Sequence, residues 1–184
     1  MNKKQALALV ANPLTTTTQL LELVNHEDVF VRRALASCKR FDVVEQLACD
    51  DHWSVRARVA ASPYASSHAI AILQGETLES ICVALASNPD LTTSATLHLT
   101  LIHDPRPRVR ASIASNPTTS AQNAAILAED SATEVRVALA SNPMTPDIIL
   151  IGLADDFEFD VRAAVRFNSA APEDVSADLK VEFP

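Results

Sequence analysis

The apolar residues of this chain recur on two scales. A β-branched residue stands at Val31, Val55, Ile81, Val109, Val135 and Val161, and four places on come Leu35, Val59, Leu85, Ile113, Leu139 and Val165. That i, i+4 spacing puts two apolar groups on one face of a helix. Eight places before each β-branched residue there is a leucine: Leu23, Leu47, Leu73, Leu101, Leu127 and Leu153. Seven places after it the chain reaches a polar node. With an earlier one at Asn12, the nodes are Asn12, Cys38, Ser62, Asn88, Asn116, Asn142 and Asn168, separated by 26, 24, 26, 28, 26 and 26 residues. Proline follows the node at 13, 63, 89, 117 and 143, where it stops a helix.

Each unit therefore predicts a longer helix, a short connection and a shorter second helical segment. In the best-defined unit Thr145 is the expected N-cap and Pro146 the first helical residue. The second segment is short enough for partly 3₁₀ geometry. A unit of this size cannot offset its own ordering entropy, at roughly 1–2 kcal/mol per residue, so neighbours must bury both of its flanks. The alanines at Ala36, Ala60, Ala86, Ala114 and Ala140 let adjacent layers approach closely. The expected fold class is all-α: a solenoid of about seven helical repeats of 24–28 residues, with residues 1–184 as a single domain.

Polar positions repeat as well. Arg32, Arg56, Arg110, Arg136 and Arg162 follow the β-branched residue, with Cys82 interrupting the file. Six places earlier stand Asp50, Glu76, Asp104, Asp130 and Asp156, with His26 in the first unit. A guanidinium can bridge a carboxylate and the carbonyls of an adjacent turn, so these residues read as a structural ladder between layers rather than as a basic track. On that reading Cys82 leaves Glu76 without a partner in its own unit. The asparagines at the nodes suit backbone groups of a tight turn.

Composition narrows the chemistry. The chain is 48% apolar with only 2 glycines, so its core is built from Ala, Leu, Val and Ile. Its net charge is −8, with −2 in residues 1–92 and −6 in residues 93–184. That opposes general attraction to phosphate backbones and makes nucleic acid an unfavoured partner. Cys38, Cys49 and Cys82 form no CxxC pair, which argues against a zinc ribbon and for reduced thiols in the cytoplasm. The apolar run Ala6–Ala11 is short for a signal peptide and ends in phase with the repeats. No 18-residue apolar run predicts a membrane span.

The blocks VRASIASNPTTSAQNAAILAED and VRVALASNPMTPDIILIGLADD resemble the leucine-rich repeat variant family, with HEAT-like features in the placement of Asp and Val-Arg. The resemblance covers about residues 5–180. It implies an α-helix paired with a 3₁₀ helix in each unit and a right-handed superhelix, and it carries little about function. One member of that family holds an iron–sulfur centre on an N-terminal cysteine cluster; here no cysteine precedes Cys38.

No catalytic constellation, metal-ligand spacing or cofactor motif emerges. His26, His52, His68, His98 and His103 occupy different phases of the repeat, and there is no P-loop or GxGxxG. The expected function is a non-catalytic scaffold for a protein or peptide partner, the alternative a nucleic-acid-binding or nucleic-acid-processing repeat protein. Candidate partner-binding residues are those that break the pattern: Trp53, Arg58, Arg106 and Arg108. The acidic stretch Asp155–Asp160 reads as a solvated rim that could meet a basic partner. Pro172–Pro184, with Leu179 at the leucine position, reads as a polar cap on the last layer.

Overall fold

The computed structural model describes residues 1–90 and 95–175. Of the proposed C-terminal cap, Pro172–Pro184, the part from residue 176 onward lies outside the described residues. The described chain is all-helical: α1 (Lys3–Ala11), α2 (Thr17–Leu21), α3 (Val29–Leu35), α4 (Phe41–Gln46), α5 (Trp53–Ala60), α6 (Ser67–Leu73), α7 (Glu79–Ala86), α8 (Ala95–Ile102), α9 (Pro107–Ala114), α10 (Ala121–Ala128), α11 (Thr133–Ser141), α12 (Asp147–Ala154) and α13 (Phe159–Phe167). Even numbers are the first helices of the repeats and odd numbers the second. The chain divides into two compact units, Met1–Asn88 and Pro89–Pro184.

Within the first unit the second helices pack in series, α1 on α3, α3 on α5 and α5 on α7, and the first helices do the same from α2 through α4 to α6. Within the second unit α11 lies between α9 and α13, and α10 between α8 and α12. The repeated β-branched residues and the repeated leucines are buried between these rows. Ala36, Ala60, Ala86, Ala114 and Ala140 have no exposed surface, so a larger side chain there would force neighbouring helices apart.

Helix lengths differ from the sequence expectation. The second helices are α-helical over 7 to 9 residues, and the first helices span only 5 to 8. The reason is local. The second helix needs two full turns to present its Val/Leu pair to the core. The early first helices instead tighten at their C-terminal ends into i→i+3 bonds, as in Leu23 N to Leu20 O (3.0 Å) and Leu47 N to Val44 O (3.2 Å).

The turn threonine also has another role than expected. Thr145 does not cap α12, whose N-cap is Pro146; its hydroxyl donates back to Leu139 O at 2.7 Å. Thr15 does the same to Leu9 O, at 2.7 Å, and Thr119 to Ile113 O. These hydroxyls satisfy a carbonyl that the end of the second helix leaves open. Capping of the first helix falls to the next residue, Thr16 and Ser120 among them.

The node asparagines tie layers together. Asn142 donates its amide to Ala114 O (2.8 Å) and Asn116 O (3.0 Å), and its Oδ1 accepts from Met144 N–H (2.9 Å). Asn168 repeats this on Ala140 O and Asn142 O, and Asn88 donates likewise to Ala60 O and Ser62 O. Replacing Asn142 by Ala leaves two buried carbonyls without their donor and is expected to cost about 1–3 kcal/mol. Exposed Asn12, whose side chain accepts from Leu14 N–H and donates to no carbonyl of a neighbouring repeat among the described residues, should tolerate the same change within about 0.5 kcal/mol. Urea denaturation of the two variants measures the difference.

Candidate functional site

Four arginines of the file, Arg32, Arg56, Arg110 and Arg136, each have partners in two different repeats. One side of the guanidinium reaches the backbone of its own turn: Arg56 Nη1 donates to Asp50 O (2.7 Å), Arg110 to Asp104 O (2.8 Å) and Arg136 to Asp130 O (2.7 Å). Arg32 and Arg162 make the same bond to His26 O and Asp156 O. The other side pairs with the carboxylate of the following repeat: Arg32 with Asp50 (2.7 Å), Arg56 with Glu76 (2.5 Å), Arg110 with Asp130 (2.6 Å) and Arg136 with Asp156 (2.7 Å).

Glu76 is therefore held by Arg56. Cys82 keeps only the backbone half of the arginine's task, its Sγ lying 3.4 Å from Glu76 O. Asp104 is neutralised inside its own turn by Arg106, with Nη2 to Oδ2 at 2.6 Å.

The aspartates do a third job. Asp50, Asp104, Asp130 and Asp156 each accept the N–H two residues on, for example Ala132 N–H to Asp130 at 2.8 Å, which opens the second helix. Burial by itself would raise the carboxyls of Asp50, Asp130 and Asp156. The guanidinium bond, that backbone bond and the arginine's charge outweigh it and hold all three below the ordinary value of 3.8. At Asp104 the bond from Arg106 leads, and the direction is the same.

Two of the four candidate partner residues lie on α5. Trp53 is its first residue, 48% exposed and stacked on His52 with ring centroids 5.9 Å apart. Arg58 is exposed, and its Nε donates to Ser37 Oγ at 2.6 Å. Five residues at about 100° each place the two side chains roughly 140° apart around the helix, so they do not make one patch. The other two flank the start of α9. Arg106 is its N-cap and is engaged by Asp104, while Arg108 is exposed in the first turn.

The second unit carries concave features that the sequence pattern did not single out. Between α11 and α13 a groove of about 810 Å³ has Glu134 and Asp160 at one end and Phe167 at the other. Between α10 and α12 a cleft of about 510 Å³ is floored by Ala128, Ile149 and Leu153, with the exposed Ala125, Gly152, Ile148 and Phe157 at its mouth and Glu129, Asp130, Arg136 and Asp156 supplying its polar lining. Phe157 covers the Arg136 guanidinium, 4.7 Å from ring centroid to Cζ. No cluster of metal-ligating side chains occurs among the described residues, and none of the described helices is long and apolar enough to cross a membrane.

No protein-family model matches the chain, and a search of curated proteins finds no match. Among solved structures it is similar to a leucine-rich repeat variant with a novel repetitive structural motif, at a TM-score of 0.62 and 20% sequence identity, over 97% of this chain and 70% of that one. The chain thus has the helical-repeat fold of a leucine-rich repeat variant. At this identity the likeness concerns the fold alone.

The ladder sets a pH dependence. Its aspartates are lowered on folding, so their contribution is complete above the ordinary carboxylate range. It is lost as pH falls through 3.8 and then through the lower folded values. Arg136 and Asp156 have side chains only 5% and 7% exposed, so Arg136→Met strands a buried carboxylate and is expected to cost about 3–5 kcal/mol at neutral pH. The gap between variant and wild type should shrink as Asp156 protonates. Denaturant midpoints followed from pH 7 to pH 2 test both statements.

Proposed function

We propose that this protein is a non-catalytic scaffold whose helical repeats present a surface to a protein or peptide partner. The observation that carries this reading is a division of labour. The regular polar residues, the ladder arginines and aspartates and the node asparagines, are spent on holding repeats together. What faces solvent is what breaks the repeat, including large apolar groups such as Trp53, Ile148, Phe157 and Phe167. Exposed apolar groups on a rigid array are interaction surface. The three cysteines are unbridged, which suits the reducing cytoplasm.

A nucleic-acid reading draws on a different feature. Arg33, Lys39, Arg40 and Arg58 are exposed in the first unit, and none of them is in an ion pair there. Against it stand the net charge of −8 and the consumption of the arginine file by the ladder.

Cross-linking mass spectrometry on the full chain, captured from its native extract, separates the two. A stoichiometric protein partner cross-linked to the exposed apolar positions, and resistant to 0.5 M salt and nuclease, is the expected result. Retention of nucleic acid alone, with a mobility shift abolished by Arg33→Ala and Arg58→Ala, would replace this reading with the second.

A further inference from the structure

The cleft between α10 and α12 contains three choices that the fold does not need. The first is Gly152, inside α12, where glycine is a poor helix former. A Cβ built on it would meet nothing within 4 Å. Packing therefore does not demand glycine, and its effect is to keep the mouth of the cleft open.

The second is a pair of carboxylates, Glu129 in the lining of the cleft and Asp155 just outside it, at the end of the helix that forms its other wall. Glu129 is the C-cap of α10 and Asp155 the C-cap of α12. Both are exposed, and neither carboxylate has a hydrogen-bond or ion-pair partner among the described residues. An acid at a helix C-terminus meets the negative end of the helix dipole and is unfavourable there. The equivalent positions in the other repeats are Asn25, Cys49, Gly75 and His103, so the architecture accepts neutral residues at this point. Two carboxylates beside the open carbonyls of two helix ends form a concentrated negative field.

The third is apolar exposure. Ile148 is 73% and Phe157 79% exposed, in the same repeat and on the rim of the same cleft. Phe157 has one cation against it already, since Arg136 lies beneath its ring. The guanidinium of Arg136 is buried and committed to Asp156 and Asp130 O, so it does not answer the field at the rim.

We infer that this cleft is a docking site for an amphipathic peptide segment carrying lysine or arginine. Its apolar side chains would lie on Ala125, Ala128 and Ile149 between Ile148 and Phe157, and its cations beside Glu129 and Asp155. The segment can also set a cation against the exposed face of Phe157. Charge selects the occupant: a phosphate backbone or an acidic peptide is repelled by both helix ends, and residues 93–184 carry a net −6. This inference rests on the partner-binding reading above and gives the partner its chemistry.

The test uses the full chain and fluorescein-labelled 14-residue peptides read by anisotropy. One has leucine and lysine at helical spacing, one has glutamate for lysine, and one has alanine for leucine. The Lys/Leu peptide should bind, the Glu/Leu peptide should not, and the Lys/Ala peptide should bind at least tenfold more weakly. Gly152→Gln, which projects a side chain into the mouth, and the pair Glu129→Gln with Asp155→Asn should each weaken Lys/Leu binding by about tenfold. Both should leave the melting temperature unchanged or raised. The pair Glu134→Gln with Asp160→Asn, which removes the same charge from the α11/α13 groove, should change affinity less than twofold.

Equal loss in that control, unchanged binding with Gly152→Gln, or no binding of the Lys/Leu peptide would overturn the inference. So would concentration-dependent dimerisation abolished by Gly152→Gln, which would assign the cleft to a second copy. A protein partner captured from extract and insensitive to these variants would leave the scaffold reading standing and remove only this site.

Discussion

The fold depends on one side chain doing two things at once. The repeated arginine donates to a carbonyl of its own inter-helix turn and, with the rest of its planar fork, to the carboxylate of the next repeat. Lysine could make one of these contacts but has no rigid geometry with which to enforce both. The same aspartate that receives the guanidinium also receives the N–H that begins its own second helix. Local helix initiation and layer-to-layer attachment thus share atoms, and a repeat whose turn is malformed also loses its neighbour. Buried ion pairs contribute little net stability relative to a well-packed apolar substitute. Their value here is register: the pairing is satisfied only when repeats are offset by one whole unit.

Much of this could be read from the sequence, and the failures have physical reasons. The period, the buried Val, Leu and Ala positions and the all-helical class followed from spacing alone, because each is a one-body property of a position in a repeat. The direction of the ladder did not. An arginine that touches the carbonyl six residues earlier and the carboxylate about twenty residues later leaves the same periodic trace as one paired within its own unit. Only coordinates separate them, and with them Glu76 passes to Arg56 and Asp104 to Arg106. Thr145 misled for a similar reason, since a hydroxyl at a helix boundary can serve the end of one helix or the start of the next.

The surface was less legible. Trp53 and Arg58 stood out by residue type, yet five residues of helix turn them away from each other. Gly152 and Glu129 were unremarkable as letters, and Asp155 was visible only as the first residue of the acidic stretch Asp155–Asp160. Their signal lay in disagreement with helix chemistry: a glycine inside α12 and negative charge at two helix C-termini. A search for local choices that oppose the fold's own preferences would have found them.

The one-unit offset of the ladder has a consequence for the history of the gene. Arg110 and Arg136 each find their carboxylate twenty positions downstream, and Asn142 and Asn168 each reach back to equivalent carbonyls 28 and 26 residues upstream. If residues 117–142 were excised, Arg110 would stand twenty positions before Asp156, and Asn168 would stand over Ala114 and Asn116. The arginine–aspartate pair and the asparagine bonds across the junction would thus have their counterparts. Unequal recombination between repeats therefore joins compatible ends, and copy number can change in whole units without a new interface having to be invented at each event.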